Sequence, residues 1–250
     1  MIPLSASDKE FFHTMPAYAS TYAIPIEYAQ EGLVKYGRNA AVHAWALKKL
    51  ADLTGSVPAK VITVFLDDKT DVVALKDGVP LMSSHGFSDT DGIMSRTGCG
   101  AIDTSIVFQL FSAGYSAEDI HDVLSMQSGF NALLGDNAGF HDLILRQGPQ
   151  AEEARAIFSY QLVKMVGACV AALEGIDAIV FMGDDTEASR DWACDFLGEM
   201  DCLGVKKSER PLRNEQVLTA DNSITDSYYF EYNKDVSMAG LLSAQTTNVH

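Results

Sequence analysis

The stretch AEEARAIFSYQLVKMVGACVAALEGIDAIVFMGDD, residues 151–185, decides the fold class. In its first part Ile157, Phe158, Leu162, Met165, Val166, Cys169, Val170 and Leu173 recur at three- and four-residue spacing, so Ala151–Leu173 reads as one amphipathic helix. Glu152 and Glu153 sit near its positive end, and Gly175 is placed to end it. Asp177–Met182 then reads as a buried strand, closed by the turn Gly183-Asp184-Asp185. A long helix feeding a short, wholly apolar strand is the unit of an α/β protein.

The same signals continue outward. Residues 39–53 carry Ala40, Ala41, Ala44, Ala46, Leu47 and Leu50, good helix formers, and Gly55 follows as a stop. Val61–Leu66, Asp71–Leu75 and Val79–Ser83 read as strands of a small meander, with Asp67-Asp68 closing the first and Lys76-Asp77-Gly78 turning into the third. Phe87–Gly100 reads as a loop, and helices are expected at 103–112 and 117–126, the second capped by Ser116. Residues 128–142 read as another long loop. Beyond the deciding stretch, a helix is expected through about Leu203, a strand at Ser227–Tyr232, and a last helix from about Lys234.

Composition narrows the function. The 250 residues carry 18 Lys+Arg against 34 Asp+Glu, a formal net charge of −16. That balance argues against binding nucleic acid or an anionic membrane, since phosphate contacts need Lys and Arg. With 47% hydrophobic and 21% charged residues the chain is no disordered polymer, and its length fits one large domain or two small ones. MIPLSASDKEFF lacks the basic start and apolar run of a signal peptide, and apolar stretches such as Met165–Leu173 are too short to span a bilayer, so a cytoplasmic protein is expected. The cysteines, Cys99, Cys169, Cys194 and Cys202, form no zinc-type pair. Cys169 lies on the helical stripe as a core residue, and Cys99 could act as a nucleophile only if the fold brought it to His85.

Six collinear motifs resemble the acetate kinase family, across residues 8 to about 190 and with almost no insertions. Asp8-Lys9-Glu10-Phe11 through Thr14-Met15-Pro16 resembles FDTAFHQTMP, and Tyr22–Tyr28 resembles YALPYEYY. Lys35-Tyr36-Gly37 through His43 resembles RYGFHGTSH, and Gly86–Asp103 resembles the GFTPLEGLVMGTRSGDID segment. Ser128-Gly129 opens the SGLLG loop, and Phe158–Phe181 resembles the family's long helix and following strand. The resemblance implies the C-terminal ATPase-type domain of the sugar kinase–Hsp70–actin (ribonuclease H-like) fold, a mixed sheet flanked by helices, over residues 1–250. The family's N-terminal domain would be missing. For active members the resemblance implies γ-phosphoryl transfer from Mg-ATP to acetate or a similar short carboxylate.

The departures fall on the chemistry. The family's catalytic His aligns with Asn39, and its catalytic Arg with Gly98, two residues after Arg96; Asp8 is the one matched catalytic position. The HLGNG phosphate loop aligns with Phe65-Leu66-Asp67-Asp68-Lys69, which removes its His and both glycines. The adenosine-side loop aligns with Ala138–Leu143, leaving Gly139 and His141 without the family's Asp and Arg. The second glycine loop aligns with Gly183-Asp184-Asp185, and the last carboxylate motif falls near Tyr232-Asn233-Lys234-Asp235. Phosphoryl transfer relies on positioned positive charge and backbone amides around the phosphates. A misplaced carboxylate about 4 Å from a phosphate costs roughly 4 kcal/mol at an effective dielectric of 20. Asp67-Asp68 and Asp184-Asp185 could hold a cation, or simply be solvated turns, which Asp favours. No metal site is therefore assigned, and Mg-ATP is expected only if family activity remains. His43 reads as a hydrogen-bonded packing histidine.

The core pattern persists while the site pattern does not. That contrast points to a fold kept for binding or assembly. The expectation is a catalytically impaired relative of acetate kinase, acting as a homodimer or a mixed dimer with a full-length kinase, or by binding a small carboxylate or nucleotide. The rival expectation is a working carboxylate kinase with replaced site residues.

Overall fold

The computed structural model describes residues 5–88, 90–135, 137–184, 186–208 and 216–232. Along the chain lie α1 (Ala6–Phe12), α2 (Ala17–Ser20), α3 (Ile26–Gln30) and α4 (Ala40–Thr54), then β1 (Lys60–Phe65), β2 (Asp71–Lys76) and β3 (Val79–Ser83). Next come α5 (Ser105–Ser112), α6 (Ala117–Ser125), α7 (Gly129–Leu134), α8 (Phe140–Leu145) and α9 (Pro149–Leu173). The chain continues through β4 (Ala178–Gly183), α10 (Glu187–Phe196), a 3-10 helix (Leu197–Leu203) and β5 (Asp226–Glu231).

The strands form one mixed sheet in the order β3-β2-β1-β4-β5. The meander expected from the sequence is its antiparallel half: β1 pairs β2, and β2 pairs β3. The other half is parallel, with β1 against β4 and β4 against β5. Both faces are covered, yet side chains still alternate with period two. Ile62, Val64, Val72, Ala74, Ile179, Phe181 and Tyr229 face the cluster built on α9, where Phe158, Leu162, Val166, Cys169 and Leu173 are all buried. Their neighbours Val61, Phe65, Ala178, Val180, Met182, Tyr228 and Phe230 pack with Val42, Ala46 and Leu50 of α4.

Three readings change. The 128–142 segment is not one loop but contains α7 and α8. Its glycines misled: Gly129 lies at φ 66, where an added Cβ would fall 1.9 Å from the Ser95 carbonyl oxygen, so that glycine serves close packing. The helix expected through Leu203 breaks at Phe196 into the 3-10 helix. The limit placed on apolar stretches also fails, because α9 is 25 residues long and, by length and composition, apolar enough to cross a membrane. Here one face of α9 is instead sealed against the sheet. Elsewhere the signals hold: Ser116 accepts the Asp119 N–H in a capping box, and Gly55 closes α4 in the left-handed region. Asp185 and the helix expected from Lys234 lie outside the described residues.

Candidate nucleotide cleft and its surroundings

The parallel strands β1, β4 and β5 end side by side, and ligands of α/β sheets bind beyond such carboxyl ends. There a cavity of about 650 Å³ is lined by Phe65, Leu66, Asp67, Asp68, Gly139, Phe140, His141, Gly183, Asp184, Glu231 and Tyr232. The six positions aligned with the nucleotide loops, Asp67, Asp68, Gly139, His141, Gly183 and Asp184, all reach this one cavity. Residues more than 100 apart in sequence meet because each follows a strand or opens a helix at the same sheet edge.

The cavity's charges are spoken for. Asp68 lies across the start of α8, where its Oδ1 accepts the Phe140 N–H at 2.7 Å and its Oδ2 lies 3.5 Å from Arg96 Nη1. A Cβ on Gly139 would fall 2.7 Å from that same Oδ1, so glycine lets the carboxylate approach. Asp142 completes the cap by accepting the Gly139 N–H at 2.9 Å. His141 Nε2 is clasped to Asp184 Oδ2. Burial pushes the Asp184 carboxyl up, but hydrogen bonds from Thr186 and Ser189 outweigh it and hold the group below the ordinary carboxylate value. Gly183 lets the Tyr229 hydroxyl, whose pKa burial raises, donate to the Asp184 carbonyl at 2.9 Å. On the last wall, Glu231 is held by Arg190 at 2.7 Å.

The catalytic matches fall in two places. Asp8 Oδ1 accepts the Ala40 N–H at 2.8 Å, satisfying an amide at the start of α4. Asn39 precedes it in the left-handed region at φ 57 and makes no side-chain cap, so Asp8 does the capping from α1. Asp8 and Asn39 are thus brought together. Arg96 joins the cleft instead, through Asp68 and through Asn137 Oδ1 at 3.4 Å. Gly98 N–H donates to Ser95 Oγ at 2.9 Å within its own loop. Burial raises the Cys99 thiol, and its Sγ lies 3.1 Å from the Gly100 carbonyl oxygen, which does not suit a thiolate nucleophile.

A buried network beneath Asn39 escaped the sequence reading. Asp71, wholly inside at the start of β2, accepts from Ser84 Oγ at 2.7 Å and lies 3.1 Å from His43 Nε2. His43 Nδ1 lies 2.7 Å from Thr63 Oγ1, and Asn39 Nδ2 is 3.5 Å from Asp71. Burial works to raise the Asp71 carboxyl, but facing His85, His43 and Ser84 outweigh it and hold it below the ordinary value. His43 is therefore the hydrogen-bonded packing histidine that its helical position implied. Glu231 was also missed, although it precedes Tyr232, the residue at which the last strand and the last carboxylate motif were placed and which lines the same cavity.

The donors at this end of the sheet already have partners within the chain. Among the described residues no group of three or more His, Cys, Asp or Glu side chains is arranged to hold a metal. The α8 amide of Phe140 is already capped by an internal carboxylate, and Arg96 faces that same group.

The chain matches the model of the acetokinase family over residues 4–239. It is 33% identical over 209 residues to an acetate kinase of Methanosarcina mazei, covering 81% of this chain and 51% of that protein. Against an acetate kinase of Rickettsia akari it is 26% identical over 245 residues, covering 96% and 63%. A crystal structure of Porphyromonas gingivalis acetate kinase superposes with a TM-score of 0.84 at 23% identity, covering 95% of this chain and 62% of that one. A propionate kinase from Francisella tularensis superposes at 0.83 and 26%, covering 93% and 62%. The likeness carries the ribonuclease H-like ATPase fold. The chain spans between half and two-thirds of the length of these relatives.

Proposed function

We propose a function on one premise: this chain belongs to the acetokinase family. Our reading is that it is a catalytically impaired member, one domain equivalent to the C-terminal part of those kinases. It acts in the cytoplasm by associating with protein, or by residual binding of a small carboxylate or nucleotide, rather than by turning over Mg-ATP. The observation that carries this is Asp68, whose carboxylate sits on the Phe140 amide and faces Arg96 where a phosphate would need both. Asp184 and Glu231 add negative charge to the same cavity, and each is held by its own partner, His141 and Arg190. A phosphate about 4 Å from one such carboxylate loses roughly 4 kcal/mol at an effective dielectric of 20.

One observation favours the rival, a carboxylate kinase with replaced residues. The cavity's 650 Å³ suits a ligand, and Arg96 remains 41% exposed at its edge. Calorimetric titration with Mg-ATP, followed by an acyl phosphate assay with acetate and propionate, separates the two. We expect no saturable heat up to millimolar nucleotide and no acyl phosphate. One-site saturable heat together with acyl phosphate formation would replace our reading with the rival.

A further inference from the structure

We propose that the cavity at the carboxyl ends of β1, β4 and β5 binds a small organic polycation, an aliphatic polyamine. This names a ligand class beyond the carboxylate or nucleotide of the function proposed above, and it rests on that function's premise that the cleft disfavours a phosphate. The cavity volume of about 650 Å³ lies within the roughly 300–1,000 Å³ of small-molecule sites. Asp67, Asp68, Asp184 and Glu231 put four carboxylates in its wall, and no Lys or Arg is among the described residues that line it. Phe65, Phe140 and Tyr232 make the apolar part of the wall.

The hydrogen bonds around the cavity select the chemistry of its ligand. The donors are engaged. Phe140 N–H donates to Asp68 and Gly139 N–H to Asp142. The Tyr229 hydroxyl donates to the Asp184 carbonyl, His141 Nε2 is clasped to Asp184, and Arg190 is held on Glu231. The acceptors are not used up, because a carboxylate offers about four lone-pair sites on its two oxygens. Asp68 takes the Phe140 amide on Oδ1 and Arg96 on Oδ2 at 3.5 Å, and Glu231 takes Arg190 on Oε1. The two side chains remain 41% and 50% exposed, so their other lone pairs are open to a ligand. The matching ligand brings N–H donors and positive charge; an acceptor-rich anion is the wrong complement.

The spread of the carboxylates selects a chain over a point charge. Asp67 and Asp68 follow β1, Asp184 follows β4 and Glu231 ends β5. Among the described residues no three His, Cys, Asp or Glu side chains converge as metal ligands do. A flexible polyamine reaches several carboxylates at once, with its methylene stems along the aromatic wall and its ammonium groups on the oxygens. Ammonium groups are also drawn to aromatic faces.

The net charge of −16 attracts any polycation weakly over the whole surface, so the test separates a site from that field. It is calorimetric titration of spermidine into the full chain in about 150 mM NaCl, where the Debye length is roughly 8 Å. We expect saturation at one spermidine per chain. E231Q keeps an oxygen for Arg190 and should weaken binding severalfold with an unchanged circular dichroism spectrum, the loss of a half-exposed ion pair. E118Q/D122N, exposed on α6 and outside the cavity lining, should bind as the native chain does. 1,6-Hexanediol, a stem without the charges, should give no heat, and millimolar Mg²⁺ should not displace spermidine. Heat that never saturates overturns the proposal. So does an E231Q chain that binds as well as the native one, equal weakening by E118Q/D122N, or displacement by Mg²⁺. A chain that binds neither spermidine nor Mg-ATP overturns this proposal and leaves the function above standing, whereas that function fails on its own signal, Mg-ATP heat with acyl phosphate formation.

Discussion

Replacing His43 with Leu should cost about 3–5 kcal/mol at pH 7, the penalty for stripping the partner from a buried charge. His43 and Asp71 are both fully buried, their side chains 3.1 Å apart, so water cannot replace the lost contact. The pH dependence tests the cause. In the native chain the Asp71 carboxyl is held below its unfolded value of 3.8. A depressed carboxyl lends stability that is complete above the unfolded pKa and is lost as pH falls through the folded one. His43→Leu removes a hydrogen bond and a facing imidazole; against the His85 and Ser84 that remain, burial, the largest influence on the group, is then expected to lift the carboxyl above its unfolded value. A raised carboxyl reverses the sign: the variant is penalised increasingly as pH rises from about 4. The gap between native and variant should thus be small near pH 4 and reach its full size by pH 7. With about 2–4 °C per kcal/mol for a chain of this size, the melting temperature at pH 7 should fall by roughly 6–20 °C. H43L/D71V should recover part of the loss, since no buried charge remains. Urea melts of both variants at pH 4.5 and 7 provide the numbers. A loss below about 1 kcal/mol at pH 7, or the same loss at both pH values, would refute the reasoning.

Phe158 is buried amid Phe130, Phe140 and Trp192, so Phe158→Ala should cost about 3–5 kcal/mol in urea unfolding. Ser116→Ala breaks the capping box of α6 and should cost about 1 kcal/mol, lost locally and readable as faster amide exchange in α6. Of the four thiols only Cys202 is exposed, while burial pushes Cys169 up to about 12 and raises Cys99, so Ellman's reagent should titrate one fast thiol in the native chain and four after denaturation.

The elements legible in the sequence are those whose pattern is local. The α9 stripe and the run Asp177–Met182 announce themselves because a helix repeats every 3.6 residues and a buried strand is a short apolar block. The structure keeps both within a residue or two. What was illegible depends on distant partners. α8 has six residues and a glycine before it, too little for a local signal; Asp68, 72 residues upstream, accepts its first amide. α1 carries Asp8, which caps α4 across 32 residues of chain. Asp71 reads correctly as the start of a strand, but nothing local marks its carboxylate as buried, because its partners His43 and Ser84 lie on other parts of the chain. The cleft was half legible: aligned loops pointed to Asp67, Asp68, Gly139, His141, Gly183 and Asp184, but nothing local joined them to Glu231.

That half-legibility bears on how the cleft keeps its shape with aspartates in its loops. A glycine loop presents bare amides to a phosphate, and an aspartate put in its place would ordinarily leave buried charge with nothing to answer it. Here Asp68 accepts the first amide of α8 and faces Arg96, so its charge is answered within the chain. Asp184 does the same with Thr186 and His141. Both carboxylates therefore meet donors supplied by the chain itself. On the function proposed above, a fold whose carboxylates are answered from within can keep its sheet, α4 and α9 intact whether or not a phosphate binds the cleft.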